Sequence, residues 1–351
     1  MEHNALRQRQ LPQGAQFSGD NPIAEHFGAP QNELSAVTTH NVVFDVSNRS
    51  QVELTGLDRI AFLNNFCTND VSSIAQGSGC ETFLTNVKGR VLAHGFLFVA
   101  ADAVWLETVP DQAPAIMAHL DRYLIREDVQ MQDQTTRQAQ LLVACRTACR
   151  IADFDLPTAG QRYDHFSADY QGVPVRVRRV PLGTATGLLL SVERCAVADL
   201  WTSLCQAGCR PAGELAWQAL RISAGFPVYG MDITDENLAQ EVSRNRQCIS
   251  FSKGCYLGQE PIARIDAMGH VNRELRGLRL RHGPAPPVGS LILSETNAAA
   301  VGSVTSSSEL SVDGPPVALG YLKTGASTPG KQVVVQAGDS EIDAEVFEPA
   351  A

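Results

Sequence analysis

The first 33 residues show no regular spacing of apolar positions. They are rich in Gln, Asn, Gly and Pro, residue types typical of segments without a packed core. The pattern predicts an extended tail over residues 1–33, and the folded part is expected to begin near Leu34.

From residue 34 to about 275, short apolar runs of β type alternate with amphipathic segments. In the segment 111–125, Ile116, Leu120 and Leu124 share one helical face. Helices are predicted at 57–67, 111–125, 194–207 and 214–224, and strands at 41–46, 51–55, 80–86, 91–99, 104–108, 140–145, 173–180 and 186–192. This order is α+β, and its two similar sets suggest a duplicated split β-α-β arrangement, although no sequence repeat is visible.

After residue 275 the helical spacing disappears. Short β runs separated by Gly, Pro and Ser follow one another at 275–281, 288–294, 300–306, 317–323, 331–336 and 340–347. Regular short strands without helices indicate a small barrel or sandwich. A domain boundary is therefore predicted near 275, with a C-terminal domain over 276–351.

The charge balance limits the possible partners. The chain has 351 residues, 44% of them hydrophobic, and a net charge of −10, which argues against generic nucleic-acid binding. Arg176, Arg178 and Arg179 could form a local basic patch, but alternating arginines on a strand are typical of a solvated face.

The nine cysteines indicate a reducing compartment. Their number is odd and no Cys-x-x-Cys occurs, so a disulfide framework or zinc ribbon is not expected. The first residues offer no signal-peptide pattern, and no stretch reaches the roughly 20 apolar residues that span a bilayer. We therefore expect a cytoplasmic protein without a membrane partner.

The stretch from Lys253 to Glu260, Lys-Gly-Cys-Tyr-Leu-Gly-Gln-Glu, carries the most chemistry. Gly254 and Gly258 permit positive φ or close approach of a ligand, and Pro261 is suited to the first turn of a helix. Lys253 and that helix N-terminus would both favour a thiolate at Cys255. Cys255 and Lys253 are therefore the candidate catalytic residues, although a tight turn with Cys255 as a small apolar residue fits equally well.

These residues resemble the signature of the YgfZ-type folate-binding proteins, relatives of the glycine-cleavage T protein, an aminomethyltransferase. The resemblance covers nearly everything after residue 35. It is carried by 249–260, Ile262-Ala263-Arg264, 269–273, 220–227, Thr68-Asn69-Asp70-Val71, 302–306 and 318–321.

The resemblance implies a fold and a site. The fold would be α+β, with two interleaved ferredoxin-like domains over 34–275 around a central folate site, and a small C-terminal β-barrel. The cofactor would be tetrahydrofolate or a one-carbon derivative, with Glu241 accepting the paired N–H donors of the pterin edge and Tyr229 forming an aromatic wall. Arg264 and Arg273 would serve the glutamyl tail or the rim. Asn69, Gly254 and Gly258 complete the candidate cofactor-binding set, and no metal ligands are expected.

Departures from the T protein affect the expected activity. Ala93 or His94 occupies the place of that enzyme's main catalytic acid, and Ser223 that of a second acid. His94 could replace the acid as a base or could be a packing residue. A missing proton-handling group would remove a contribution of about 10²–10⁴ in rate.

Three functions remain open. The resemblance favours a tetrahydrofolate-binding protein that supports assembly or repair of iron–sulfur enzymes, including tRNA-modifying ones, with these clients or assembly factors as partners. The alternative is a tetrahydrofolate-dependent aminomethyltransferase of the T-protein type. The third is a scaffold that has lost its ligand.

Overall fold

The chain folds into two compact units. The computed structural model describes residues 2–151, 154–182, 185–296, 298–312 and 314–349. The first unit comprises the residues up to 64, 71–81 and 95–217, and the second comprises 65–70, 82–94 and 218–351. Neither unit is one continuous stretch of sequence, because the chain passes repeatedly from one to the other.

The helices and strands are mostly short. The helices are α1 (Glu2–Gln10), α2 (Pro30–Thr39), α3 (Arg59–Asn64), α4 (Ala113–Asp121), α5 (Val197–Gln206), α6 (Glu214–Ser223), α7 (Asn245–Cys248) and α8 (Gln259–Met268). The strands before the barrel are β1 (Val42–Asp45), β2 (Ser50–Thr55), β3 (Ser78–Thr85), β4 (Val91–Val99), β5 (Val104–Thr108), β6 (Gln130–Asp133), β7 (Gln138–Cys145), β8 (Cys149–Ile151), β9 (Phe154–Leu156), β10 (His165–Tyr170), β11 (Val173–Leu182), β12 (Ala185–Glu193) and β13 (Arg210–Ala212). The barrel strands are β14 (Arg273–Leu280), β15 (Leu291–Ser294), β16 (Ala300–Ser308), β17 (Val317–Lys323), β18 (Gln332–Ala337) and β19 (Ser340–Phe347). Short 3₁₀ turns occupy Leu11–Gln13, Val71–Ser73, Arg194–Ala196, Ala239–Val242 and Thr324–Ala326.

The first unit is built on a six-stranded sheet of order β10-β11-β12-β7-β1-β13. Helix α5 turns Val197, Leu200, Trp201 and Leu204 toward the same apolar core as Val143 and Leu190 of the sheet. Their spacing places these helical residues on one face, so burying that face holds the helix on the sheet. A second sheet has the order β3-β4-β5-β2-β6, and β3 and β4 each contribute residues to both units.

The N-terminal residues are not an extended tail. Residues 2–10 form α1, whose Leu6 is buried in the core of the first unit, and Gln13 accepts a hydrogen bond of 2.9 Å from Trp201. Ile23 and Ala24 are also buried. The prediction is wrong because the few apolar residues are widely spaced, although Leu6, Ala15, Ile23 and Ala24 are buried. Residue 1 of the predicted tail lies outside the described residues.

The C-terminal strands form a closed barrel of order β14-β17-β16-β15-β18-β19. Leu278, Ile292 and Val335 point into its core. Gly277 allows this closure, because a Cβ there would lie 2.0 Å from the Phe347 ring on the neighbouring strand. The predicted α+β class with a C-terminal barrel is confirmed, and the barrel begins at Arg273, close to the predicted boundary.

The arginines of β11 do not form a solvated face. Arg178 and Arg179 are buried, and Arg178 forms an ion pair of 2.6 Å with Glu107 of β5. The prediction was wrong because this partner comes from a distant part of the sequence. Among the described helices, none is both long and apolar enough to cross a membrane.

Candidate functional site

Glu241 is held in place by its own turn. It lies in the 3₁₀ turn Ala239–Val242, where its Oε2 accepts a hydrogen bond of 3.2 Å from the backbone N–H of Leu238. Arg273 contacts the same oxygen at 3.2 Å. Oε1 accepts no hydrogen bond from any residue that the structure describes, and Glu241 is 7% exposed. The contacts to Oε2 thus hold the carboxylate in place, and Oε1 remains able to accept hydrogen bonds from a ligand.

Tyr321 extends this group. The Arg273 guanidinium lies over its ring, 5.0 Å from the centroid, and the Tyr321 hydroxyl is buried without a hydrogen-bond partner among the described residues. Burial, and then the negative charges of Glu241 and Asp232, raise the pKa of the Tyr321 phenol. The phenol therefore keeps its proton and can donate it in a hydrogen bond. Sequence reasoning missed Tyr321 as a site residue, although it ends one of the blocks that carried the resemblance.

Tyr229 packs on the edge of an apolar cluster. That cluster includes Ala239 and Val242, which flank Glu241 within the same turn. Burial raises the pKa of Tyr229, and Asp235 raises it further. The half-buried ring fits the predicted role of an aromatic wall.

A buried ion pair fixes the turn that carries Tyr229. Arg221 donates to Asp232 at 2.8 Å and to Ser306 at 2.9 Å, and Asp232 accepts the backbone N–H of Val228 at 3.0 Å. Arg221 and Ser306 come from two blocks of the resemblance to which no role had been assigned. Their role here is to position the 228–233 turn.

Lys253 and Asn69 form a second group. The Lys253 ammonium donates to the carbonyl oxygens of Cys67 and Asn69, at 2.8 and 2.7 Å, and it is buried. The Asn69 side chain donates to the carbonyl of Gln247 at 2.8 Å. These contacts tie residues 67–69 to the segment 247–253, and this is the role that the structure shows for both side chains.

Cys255 is exposed within this loop. Gly258, the residue before α8, has a φ of +86°, and a Cβ there would lie 2.5 Å from the carbonyl oxygen of Asn86. Gly254 lacks a positive φ and faces open space. The positive φ and the close approach of Asn86 thus require a glycine at position 258. By contrast, the surface at Gly254 and Cys255 is open to a ligand or partner.

Arg264 and His94 have different surroundings. Arg264 is exposed on α8 and forms no hydrogen bond or ion pair with a described residue. His94 is buried between the rings of Phe83 and Phe226, at centroid distances of 5.1 and 5.6 Å. His94 thus has a packing role, and its use as a base remains a prediction.

Comparison with protein families finds two matches. Residues 8–248 match the GCVT N-terminal domain, and residues 273–351 match the glycine cleavage T-protein C-terminal barrel domain. A chloroplastic protein of Arabidopsis thaliana, provisionally named a transferase, is 29% identical over 95% of this chain and 77% of its own length. An aminomethyltransferase of Thermus thermophilus is 29% identical over 82% of this chain and 81% of its own length.

A solved structure shares the fold. The glycine cleavage system aminomethyltransferase T from Bartonella henselae superposes with a TM-score of 0.83 over 99% of this chain and 98% of that one. Its sequence identity is 18%, so the likeness concerns the fold alone.

Proposed function

The chain belongs to the glycine-cleavage T-protein family, and from this premise we propose that it is a tetrahydrofolate-binding protein of the YgfZ type. Its role is to support assembly or repair of iron–sulfur enzymes, including tRNA-modifying ones. The observation that carries the proposal is the buried Glu241 carboxylate, which Arg273 and the Leu238 N–H hold by one oxygen only.

The residues around Glu241 fit a pterin. The ring edge presents adjacent N–H donors, which a fixed carboxylate accepts well, and the ring face needs a partner such as Tyr229. Tyr321 adds a buried hydroxyl that has no other partner among the described residues. Arg273, with its side chain 42% exposed, can reach a carboxylate of the glutamyl tail. Bound tetrahydrofolate would supply a carrier for one-carbon units.

The exposed thiol supports the YgfZ branch. Cys255 stands in the Lys-Gly-Cys-Tyr stretch, with Gly254 open beside it. The surrounding loop is fixed by the Lys253 tether, so the thiol is presented by an ordered segment. We assign to Cys255 the contact with the client enzymes or their assembly factors. A cytoplasmic location, expected from the cysteine pattern, belongs to the same proposal.

The second candidate is a tetrahydrofolate-dependent aminomethyltransferase, which the Thermus thermophilus relative favours. Against it stand Ala93, His94 and Ser223 at the places of two acids. His94 is enclosed between two aromatic rings, a setting that favours packing over proton transfer to a substrate.

Two assays on the full chain separate these functions. In cells that lack the protein, the wild type and a Cys195→Ser control should restore iron–sulfur enzyme activity, whereas Cys255→Ser and Glu241→Ala should not. With aminomethylated lipoyl carrier and tetrahydrofolate, the purified protein should give no turnover. Full rescue by Cys255→Ser would contradict the role of the thiol, and ordinary turnover would establish the transferase.

A further inference from the structure

A pocket in the first unit has no part in the proposed function. Its volume is about 500 Å³, and its lining includes Gln76, Trp105, His165, Phe166, Arg176 and Arg178. Trp105 and Arg178 are buried, while Phe166 is exposed. The pocket thus joins a buried arginine to an exposed aromatic rim, whereas Glu241, Tyr229, Arg273 and Cys255 all belong to the second unit.

The two arginines keep donors without partners. Arg178 uses Nη1 for Glu107 at 2.6 Å and for Ser191 at 2.7 Å, but its Nε and Nη2 are buried and donate to no described residue. Arg176 donates from Nη2 to Gln138 at 3.2 Å, and its Nε is likewise buried without a partner. Buried polar groups normally have hydrogen-bond partners, so three such donors on two neighbouring guanidinium groups point to an acceptor.

The local charge favours an anion. Glu107 is the carboxylate paired with Arg178, and it faces two guanidinium groups. The charge of Glu53 also acts on Arg176, and the charge of Arg49 acts on Glu107. Asp102 is an exposed acid among the residues that line the pocket. His165 is held by its Nε2 at 2.9 Å from the Val99 carbonyl, and burial lowers its pKa. Over this whole group three arginines face three acids, but the lining of the pocket itself holds Arg176 and Arg178 against Asp102 alone.

Trp105 orients the site. The Arg176 guanidinium lies over its ring at 3.6 Å from the centroid, and that of Arg178 at 5.5 Å. Stacking on an aromatic face fixes the plane of a guanidinium, which then meets an oxyanion with less loss of conformational freedom.

We propose that this pocket binds a small organic anion, whose carboxylate or phosphate group accepts hydrogen bonds from Arg176 and Arg178. A pocket of this size holds a whole small molecule rather than an inorganic ion alone. Phe166 and Trp105 supply apolar contact for the rest of the ligand, so a ring-bearing anion fits best.

Calorimetric titration of the full chain with phenyl phosphate, benzoate and inorganic phosphate tests the proposal, with benzyl alcohol as the neutral control. We expect an aromatic anion to bind more tightly than inorganic phosphate, and benzyl alcohol not to bind. The comparison of phenyl phosphate with benzoate identifies the preferred anionic group.

Variants locate the binding. Arg176→Gln should weaken it by about tenfold or more, because a charged donor is lost. Arg178→Lys keeps a charge beside Glu107 and so protects the fold, but it loses the planar fork and should also weaken binding. Arg150→Gln removes an exposed arginine of the same unit and should have no effect. Absence of binding by all three anions, or equal affinity in the Arg176 and Arg178 variants, would overturn the proposal.

Discussion

At the scale of single residues, the exposure of Cys255 can be compared with that of the other cysteines. Cys195 is also exposed, Cys205 is half-buried, and the remaining six are buried. Cys255 should therefore be alkylated at neutral pH ahead of the buried thiols, because reaction requires access of the reagent. Mass spectrometry of peptides after limited labelling measures each site.

Cys195 is the matched control for this labelling. It is an exposed thiol outside the motif, so a faster reaction at Cys255 would show that the loop activates its cysteine. Reaction at Cys255 as slow as at the buried cysteines would return it to the role of a packed turn residue.

The candidate site was only partly predictable from residues. The motifs pointed to Glu241, Arg273 and Tyr229. Glu241 and Arg273 form an ion pair, and Tyr229 packs on an apolar cluster that includes two residues of the Glu241 turn. Tyr321 was missed because its relation to Arg273 depends on barrel pairing. The tether of Lys253 was missed because its acceptors are backbone carbonyls, which no side-chain pattern reveals.

At the scale of elements, the loop before α8 depends on Gly258. Gly258→Ala should lower the free energy of unfolding by about 2 kcal/mol or more, because alanine is strained at positive φ and its Cβ would clash with the Asn86 carbonyl. Gly254→Ala is the control, since its Cβ would meet open space. Urea titrations of the two variants measure the difference, and equal stabilities would contradict this assignment.

A second prediction at the scale of elements concerns the buried ion pair between Glu107 of β5 and Arg178 of β11. Arg178→Met should cost about 3–5 kcal/mol of stability, because Glu107 is left buried without its partner. The double variant Glu107→Leu with Arg178→Met should recover part of that loss, since neither member of the ion pair is then left buried without the other. Thermal or urea unfolding measures both, and a double variant as unstable as the single one would contradict the account.

Element prediction succeeded where the local pattern was strong. The strands predicted at 91–99, 104–108, 317–323 and 340–347 have these bounds in the structure. It failed for α1 and α2, whose apolar residues are few, and for short strands such as β13, which pairs in parallel with the distant β1. Such strands exist because a neighbour in space completes them, and a local window does not contain that neighbour.

At the scale of the whole molecule, the interleaving of the two units was not deducible from the residue pattern alone. The first unit takes residues from three stretches and the second from three others. The expectation of two interleaved domains before a separate barrel came from the family resemblance, whereas in the division of the chain the barrel strands belong to the second unit together with residues 218–272. The closed barrel could be distinguished from a sandwich only by the pairing of its first strand with its last.

The central claim is that the protein binds reduced folate through Glu241, and calorimetric titration with tetrahydrofolate tests it most directly. Arg273 is 42% exposed, so water can solvate it after Glu241→Ala and the fold should persist. Loss of a charged hydrogen-bond partner typically costs about 1.5–3 kcal/mol, so we predict affinity about ten- to a hundredfold weaker than wild type. The exposed-residue control Glu236→Ala should bind like wild type. Equal affinity in Glu241→Ala, or no binding by the wild type, would contradict the account.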